Sequence, residues 1–237
     1  TCDECDHGFI VMNRPWALRQ LVKHDRYRQI QEKYIMVMET DHLILRPPVN
    51  RAKPDRPVAF GFYYMTYKYD AKKLKPVVAR FWDPDDVDAV GPSPLIISKS
   101  LLGDLVGPWW RLALELKRDA EADKAFGWVL EMWAWALTTA QRGVKHLVLP
   151  EFQAEPGGAG MASIDKYFLL HYTFDLEMSK WKWSKRKFMF TYPPPISLPS
   201  SNSAFSLISA KPRASIVTFA TMMNEAIAAL PNWKAAK

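Results

Sequence analysis

One stretch, residues 33–48, constrains the fold more than any other part of the chain. Its first part, residues 34–38, is an apolar run with the length and residue types of a buried β-strand. The run ends at Glu39-Thr40-Asp41-His42, and two prolines soon afterwards prevent further sheet pairing. Open α/β sheets bind ligands beyond the carboxyl ends of their strands. Although an isolated acid-x-acid pair is commonly a solvated turn, Glu39 and Asp41 here can bind a hard divalent cation that also holds a diphosphate.

The composition indicates a globular protein of one domain, because no repeat and no internal boundary is visible over residues 1–237. The formal charge of +7 suits an acidic partner such as a nucleotide diphosphate. Nucleic acid is not expected as a partner, since Lys and Arg are scattered and no recognition motif occurs. No apolar run of about 18 residues is present. The chain opens without Met, and we expect it to be a fragment or a processed form.

The two cysteines, Cys2 and Cys5, form a C-x-x-C at the amino terminus. A zinc site needs a second pair or histidines at ligand spacing, and only His7 is close. We interpret the pair as a local disulfide, or as cysteines whose partners are missing.

The periodicity predicts alternating helices and strands, the pattern of an α/β fold. Asn13 is a candidate helix cap, and residues 24–33 and 68–75 are predicted to be charged, exposed segments. Residues 91–94 (Gly-Pro-Ser-Pro) are predicted to form a rigid turn. The predicted strands are residues 9–12, 34–38, 58–65, 95–97, 144–149 and 167–171, with a hairpin at 181–192; the predicted helices are 16–23, 99–106, 109–117, 120–141 and 214–229.

The longest predicted helix, residues 120–141, has Asp119 as its expected cap and Gly143 just past its end. Helical spacing places Trp128, Glu131 and Trp135 together on a second face. Its buried stripe is predicted to contain Phe126, Leu130, Trp133, Leu137 and Ala140.

His171 ends a predicted strand far downstream of the two carboxylates. Alone, such a histidine is more often structural. Combined with Glu39 and Asp41, it is a credible third ligand for Mn²⁺, which accepts both carboxylate and imidazole. An acid-x-acid pair with a late histidine is similar to the metal site of GT-A nucleotide-sugar glycosyltransferases.

Several blocks, in order, carry a more specific resemblance, and the Asp-Lys-Ala-Phe-Gly-Trp block at 123–128 is the most specific of them. From Phe9 to its carboxyl end the chain resembles the plant and green-algal hydroxyproline O-arabinosyltransferases. The peptidyl serine galactosyltransferases are a more distant resemblance. The blocks are residues 12–17 (Met-Asn-Arg-Pro-Trp-Ala), 38–42, 91–97, 123–132, 171–173 (His-Tyr-Thr) and 223–233.

The resemblance implies a GT-A-like mixed sheet flanked by helices, incomplete at the amino terminus. It also implies a type II membrane protein of the Golgi whose catalytic domain lies in the Golgi lumen, with the membrane anchor outside this chain. The implied reaction moves β-L-arabinofuranose from UDP to the 4-hydroxyl of hydroxyproline in secreted Pro-rich proteins or peptides. The resemblance implies that the configuration at the anomeric carbon is retained, because the donor and product linkages are both β.

Residue roles follow from the resemblance together with the chemistry and predicted positions of the side chains. Glu39, Asp41 and His171 are the expected Mn²⁺ ligands, and the cation would neutralise the departing diphosphate. Glu131 and Asp123 are candidate catalytic residues, but Asp123 is also a candidate helix cap. Trp128 and Trp135 flank Glu131 and could stack on the hydroxyproline ring, although they could equally be core. The candidate substrate-binding residues are Asn13, Arg14, Trp16, His42, Trp128 and Lys180, of which Lys180 is expected to reach the phosphates.

Two departures from the family pattern matter. Thr40 replaces the proline of the usual E-P-D-H motif. The family's catalytic region also starts before Phe9, so strands that bind uridine are expected to be missing here. We therefore expect the strand at 34–38 to have an exposed edge or to be covered by a segment outside this chain. We also expect the 237 residues alone to bind UDP weakly or not at all, even with Mn²⁺.

Two alternatives remain open. The first is another peptidyl glycosyltransferase that uses galactose or a different pentose, because sugar recognition rests on a few hydrogen bonds that the sequence does not locate. The second is a non-catalytic module that binds polyproline II chains through its aromatic residues.

Overall fold

The computed structural model describes residues 8–157, 160–178, 181–188 and 213–230. The chain forms two compact units: unit 1 is Thr1–Met38 with Val49–Pro150, and unit 2 is Glu39–Pro48 with Glu151–Lys237. The sequence shows no such division, and the assignment of residues 1–237 to a single catalytic domain stays a prediction. Cys2 and Cys5 lie outside the described residues.

The elements alternate between helix and strand along the chain, as the periodicity predicts. The α-helices are α1 (Asn13–Lys23), α2 (Asp25–Gln29), α3 (Ala71–Val78), α4 (Lys99–Arg118), α5 (Ala120–Phe126), α6 (Leu130–Gln141) and α7 (Ala214–Ala229). The strands are β1 (Tyr34–Val37), β2 (His42–Ile44), β3 (Val58–Gly61), β4 (Val90–Ser98), β5 (Leu147–Val148), β6 (Gln153–Ala154), β7 (Leu169–His171), β8 (Leu176–Met178) and β9 (Trp181–Trp183). Short 3-10 helices cover Ile10–Met12, Tyr67–Asp70, Pro84–Asp86, Gly127–Val129, Pro150–Phe152 and Lys185–Phe188.

Unit 1 contains a four-stranded sheet in the order β1-β4-β3-β5. β4 pairs antiparallel with β1 and β3, whereas β3 and β5 are parallel. The predicted mixed α/β architecture is therefore confirmed. In the described part of the chain β1 pairs only with β4, which is the edge position expected for this strand.

The central strand β4 is longer than predicted, because the Gly-Pro-Ser-Pro segment at 91–94 is strand and not turn. β1 pairs with β4 only from Leu95 to Ser98, so Pro92 and Pro94 lie beyond the end of β1. The register with β3 is also irregular next to them. Pro92 and Pro94 have no backbone N–H to donate to a neighbouring strand. Because neither β1 nor β3 pairs regularly with β4 at these positions, the missing hydrogen bonds cost little stability. Gly91 permits a close approach of α6, since a Cβ there would lie 2.6 Å from the Met132 Cε.

Helix α4 is continuous from Lys99 to Arg118, so the predicted break at Gly107-Pro108 is wrong. Pro108 removes one hydrogen bond from the helix interior. Packing outweighs that loss, because α4 buries one face that includes Leu105, Trp109 and Leu112. Trp109 contacts Trp135 of α6, with ring centroids 5.1 Å apart, and its Nε1 donates to the Glu131 backbone oxygen at 2.8 Å.

The long helix predicted at 120–141 is interrupted. Asp119 caps α5 as predicted, accepting from the backbone N–H groups of Glu121 and Ala122. Gly127 then adopts φ +53°, ψ −131°, and a 3-10 turn separates α5 from α6. The predicted stripe of Phe126, Leu130, Trp133, Leu137 and Ala140 is nevertheless buried.

Several local predictions for unit 1 are corrected. Residues 10–12 form a 3-10 helix in place of a strand, and Asn13 is the first residue of α1 without a side-chain capping bond. Residues 68–75 lie in the 3-10 helix Tyr67–Asp70 and in α3, which buries Leu74 against the core. In the segment 24–33, Tyr27 is buried and donates to the Lys99 backbone oxygen at 2.6 Å. Strands β1, β3 and β5 are each shorter than predicted, and so is β7 of unit 2.

Unit 2 contains a three-stranded sheet in the order β2-β7-β6 and the hairpin β8-β9. A second apolar cluster, which includes Leu170, Trp183 and Phe219, joins these strands to α7. Helix α7 has the predicted bounds. Of the predicted hairpin at 181–192, residues 181–183 pair with β8, and residues beyond 188 lie outside the described part.

Among the described residues, no helix is both long and apolar enough to cross a lipid bilayer.

Candidate functional site

Two short strands of unit 2 bring the candidate ligands together. β2 and β7 pair antiparallel, with His42 directly opposite His171. Before β2 the backbone turns, and the His42 N–H donates to the Glu39 carbonyl oxygen at 3.2 Å. After β7, the Tyr172 N–H donates to the Asp41 carbonyl oxygen at 3.2 Å. The acidic turn and the end of β7 are therefore held side by side by backbone hydrogen bonds.

Opposed residues in an antiparallel pair have adjacent side chains, so the register alone places the two imidazoles in contact. The ring centroids of His42 and His171 are 4.6 Å apart and the ring planes are nearly perpendicular. Both side chains are buried. A carboxylate oxygen of Glu39 and one nitrogen from each ring lie within 4.8 Å of one another. We name Glu39, His42 and His171 the His-Glu cluster.

The cluster has a suitable set of donors for a divalent cation. Two imidazole nitrogens and a carboxylate oxygen fit Mn²⁺, which accepts both ligand types. His42 Nδ1 accepts a hydrogen bond of 3.2 Å from the Glu39 N–H, so the neutral ring carries its proton on Nε2. Coordination by His42 therefore requires this long hydrogen bond to break.

Asp41 and Glu155 lie on either side of the His171 ring. Asp41 Oδ2 is 3.3 Å from His171 Nε2, and Glu155 Oε1 is 3.4 Å from Nδ1. Gln153 Nε2 lies 3.2 Å from the same Nδ1. The Thr173 hydroxyl lies against the ring edge, 2.8 Å from Nδ1 and 2.7 Å from Nε2, where it can bond to one nitrogen at a time.

This arrangement shifts the pKa values of both partners. Burial alone would lower the pKa of His171, but hydrogen bonds to Asp41 and Glu155 outweigh burial and raise that pKa to about 9. Burial alone would raise the pKa of Asp41, but hydrogen bonds from His171 and Lys185 hold that pKa well below its ordinary value. At neutral pH His171 is therefore an imidazolium, and a cation must displace its proton to bind.

Lys185 forms an ion pair with the same oxygen, Oδ2 of Asp41. Its neighbour Arg186 lines an open pocket of about 430 Å³, together with Gly157, Phe174, Asp175 and Glu177. Phe174 follows Thr173 along the chain, and Gly157 is two residues beyond Glu155. The pocket is thus built by the chain neighbours of the residues around His171.

The predicted ligands Glu39, Asp41 and His171 are neighbours in the structure, although their binding of a metal stays a prediction. His42, predicted to contact substrate, is the third member of the His-Glu cluster in place of Asp41. Glu155, Gln153 and Lys185 were not predicted. Glu155 and Lys185 are far from the acidic turn in sequence, and no local motif marks them.

The predicted catalytic residues lie in unit 1. Glu131 is buried, and its Oε1 accepts a hydrogen bond of 2.7 Å from Arg14 Nη1. Arg14 was predicted to bind substrate, and here it pairs with Glu131. Asp123 pairs with Lys117 at 2.8 Å and does not cap a helix, because Asp119 has that position. Catalytic roles for Glu131 and Asp123 stay predictions.

The aromatic residues near Glu131 do not form one surface. Trp135 is fully buried, whereas Trp128 is 68% exposed and contacts Phe9 edge to face. The prediction of a shared face is wrong for Trp128, because the 3-10 turn at Gly127–Val129 breaks the helical phase before α6 begins, whereas Glu131 and Trp135 lie one turn apart in α6. Asn13 and Trp16 are both partly buried in α1. Lys180 lies outside the described residues, and its role stays a prediction.

Residues 2–148 match the hydroxyproline O-arabinosyltransferase family N-terminal domain. The chain is 35% identical over 246 residues to the hydroxyproline O-arabinosyltransferase PLENTY of Lotus japonicus, and 36% identical over 240 residues to hydroxyproline O-arabinosyltransferase 1 of Arabidopsis thaliana. Each alignment covers 96% of this chain, but only 63% and 62% of those two proteins. The chain is also 23% identical over 188 residues to a peptidyl serine alpha-galactosyltransferase of Arabidopsis thaliana, covering 74% of this chain and 22% of that protein.

Proposed function

The chain belongs to the hydroxyproline O-arabinosyltransferase family, and from this premise we propose that it is part of a glycosyltransferase acting on hydroxyproline. The proposed reaction transfers L-arabinofuranose from a UDP donor to the 4-hydroxyl of hydroxyproline in secreted Pro-rich proteins or peptides. The observation that carries this proposal is the His-Glu cluster, a donor set suited to a cation that binds a diphosphate.

In the proposed mechanism, Glu39, His42 and His171 would hold the cation, most simply Mn²⁺. A bound cation of this kind acts as a Lewis acid that neutralises charge on a departing diphosphate. Asp41 accepts a hydrogen bond from His171 Nε2 and fixes the orientation of the ring. Glu155 approaches the opposite nitrogen, Nδ1, and raises the basicity of the imidazole.

Loss of the proton from His171 is coupled to binding of the cation. The two flanking carboxylates stabilise the imidazolium, so the ring gives up its proton only when a cation replaces it. Both histidines are buried, and burial strengthens their electrostatic interactions with the neighbouring carboxylates. The open pocket lined by Arg186 is the candidate location for the anionic donor, because a guanidinium is a good partner for phosphate oxygens. The pocket's two acidic residues, Asp175 and Glu177, are offset by Lys182, which forms ion pairs with both.

Retention of configuration is part of the proposal, because the family reaction joins a β donor to a β product. We also propose a Golgi lumenal location with a membrane anchor outside this chain, as expected for enzymes that modify secreted proteins. These two elements rest on the family resemblance alone.

The test is a transfer assay on the full-length protein with two donors, UDP-L-arabinofuranose and UDP-galactose, and two peptides that differ only in hydroxyproline or proline. Mass spectrometry should find one pentose on the hydroxyproline peptide and none on the proline peptide. His171→Gln should lose transfer, whereas His24→Asn, which changes an exposed histidine of unit 1, should keep it.

A second candidate, transfer of galactose to serine, is favoured by the similarity to a peptidyl serine alpha-galactosyltransferase. The same assay distinguishes the two candidates when both peptides also contain a serine. Hexose on a serine-containing peptide, with no pentose on hydroxyproline, would replace the first proposal with the second.

A further inference from the structure

Lys185 occupies a position that the proposed reaction does not yet explain. Its ammonium pairs with Asp41 Oδ2, the oxygen that also lies 3.3 Å from His171 Nε2. The positive charge of Lys185 therefore lies beside the His-Glu cluster. It neutralises a carboxylate whose negative charge would otherwise stabilise a cation bound there.

The backbone that carries Lys185 is well anchored. Trp183, two residues earlier, is buried, and its ring lies 4.5 Å from Phe219 of α7 and 5.8 Å from Tyr172, measured between centroids. Ser184 is also buried. The Lys185 side chain itself is 31% exposed, and its Nζ lies 5.8 Å from the centre of the Tyr172 ring.

An anchored backbone with a flexible, partly exposed side chain allows the ammonium to change partners. A lysine is a point charge on a four-carbon stem, so it can leave Asp41 without movement of the backbone. Arg186, the next residue along the chain after Lys185, lines the open pocket.

We propose that Lys185 opposes binding of the divalent cation at the His-Glu cluster by neutralising Asp41 beside it, and that a bound diphosphate relieves this opposition by attracting the ammonium away. Cation and diphosphate then bind cooperatively, and the cation binds weakly until the nucleotide arrives. This inference rests on the cation site of the proposed function, and it adds the coupling between the cation and the anion.

The physical reason is the balance of charge at Asp41. Without a diphosphate, Lys185 neutralises the carboxylate and repels a second cation nearby. With a diphosphate, the ammonium has a doubly anionic partner, and the negative charge of Asp41, which lies 3.3 Å from His171 Nε2, is left to stabilise the nearby cation. By linkage, the factor by which the diphosphate raises the affinity for the cation equals the factor by which the cation raises the affinity for the diphosphate.

The chain offers matched variants for a test. Lys185→Met removes the charge at Asp41, and Lys185→Arg keeps it. Lys166→Met removes an exposed lysine of unit 2, whose Nζ lies 5.1 Å from the centre of the Tyr167 ring. The two methionine variants therefore change net charge equally, and only one of them alters Asp41. Circular dichroism first establishes that each variant is folded.

The measurement is Mn²⁺ binding to the full-length protein by electron paramagnetic resonance, with and without UDP, corrected for the Mn²⁺ that UDP binds in solution. Lys185→Met should bind Mn²⁺ alone about 5- to 50-fold more tightly than wild type, within the usual range of coupling between sites. UDP should tighten Mn²⁺ binding strongly in wild type and in Lys185→Arg, and only weakly in Lys185→Met. Lys166→Met should behave as wild type.

Wild-type or weaker Mn²⁺ affinity in Lys185→Met, with measurable binding in wild type, would overturn the inference and leave the cation site intact. Absence of Mn²⁺ binding in every protein, wild type included, would overturn the inference together with the cation site on which it rests.

Discussion

His42 and His171 face each other across the β2–β7 pair, with ring centroids 4.6 Å apart and nearly perpendicular planes. They are 129 positions apart in the sequence, and the antiparallel register makes them neighbours. Because Glu39 lies within 4.8 Å of both, the pair becomes a candidate cation site.

The first prediction concerns His42, whose role as a ligand follows from the structure and not from its motif. His42→Asn should weaken Mn²⁺ binding by about 10-fold or more, because changes close to metal sites already cost about 10- to 100-fold. Isothermal titration calorimetry measures the affinity. His24→Asn is the control, since His24 is an exposed histidine. Equal affinities for the two variants would remove His42 from the site.

The second prediction concerns pH. The pKa of His171 is raised to about 9 in the metal-free protein, so the ring is protonated at pH 7 and must lose a proton when a cation binds. Cation affinity should therefore rise with pH from about 7 and level off above about 9. Calorimetry in two buffers with different ionisation enthalpies counts the proton released. Cation binding at pH 7 without proton release would contradict this account.

A variant sharpens the same experiment. Asp41→Asn removes the carboxylate that raises the pKa of His171, so its Mn²⁺ binding should release less proton at pH 7 than wild type does.

The third prediction concerns the buried pair Arg14–Glu131. Arg14→Met removes the cation that pairs with a carboxylate only 2% exposed, and should lower the free energy of unfolding by about 3–5 kcal/mol. The double variant Arg14→Met/Glu131→Leu should recover much of that loss, because it also removes the buried charge. Urea denaturation followed by tryptophan fluorescence measures both. A double variant less stable than Arg14→Met would show that Glu131 stabilises unit 1 independently of Arg14.

The fourth prediction compares two glycines of unit 1. Gly127→Ala should cost about 1–3 kcal/mol of stability, because its φ of +53° is strained for any residue with a Cβ. Gly103→Ala lies in the interior of α4, where a Cβ would make an ordinary contact of 3.9 Å with Val22, and should gain about 0.5–1 kcal/mol. Thermal unfolding should show a lower midpoint temperature for Gly127→Ala and a higher one for Gly103→Ala. Shifts in the same direction would contradict the backbone argument.

The sequence predicts those elements in which local pattern and tertiary packing agree. Helix α7 and the buried stripe of residues 126–140 follow from apolar spacing alone. Where packing overrides local signals, prediction fails: Pro108 lies inside a continuous helix because α4 buries a broad apolar face, and Pro92 and Pro94 lie in β4 because β1 ends before them.

For the candidate site, the sequence shows which types of side chain are available, but it does not show which of them become neighbours. An acid-x-acid turn and a late histidine are visible as residue types, and they suffice to propose Glu39, Asp41 and His171. Which of Asp41 and His42 joins the cluster depends on the β2–β7 register, and Lys185 reaches Asp41 through the packing of Trp183 against Phe219. Neither relationship has a local sequence signal.

The most direct test of the central claim is anomalous diffraction at the manganese edge from crystals of the full-length protein soaked with Mn²⁺. The account predicts an anomalous peak bonded to Glu39, His42 and His171, and loss of that peak in crystals of His171→Gln. Manganese bound elsewhere, with no peak between the two imidazoles in wild-type crystals, would contradict it.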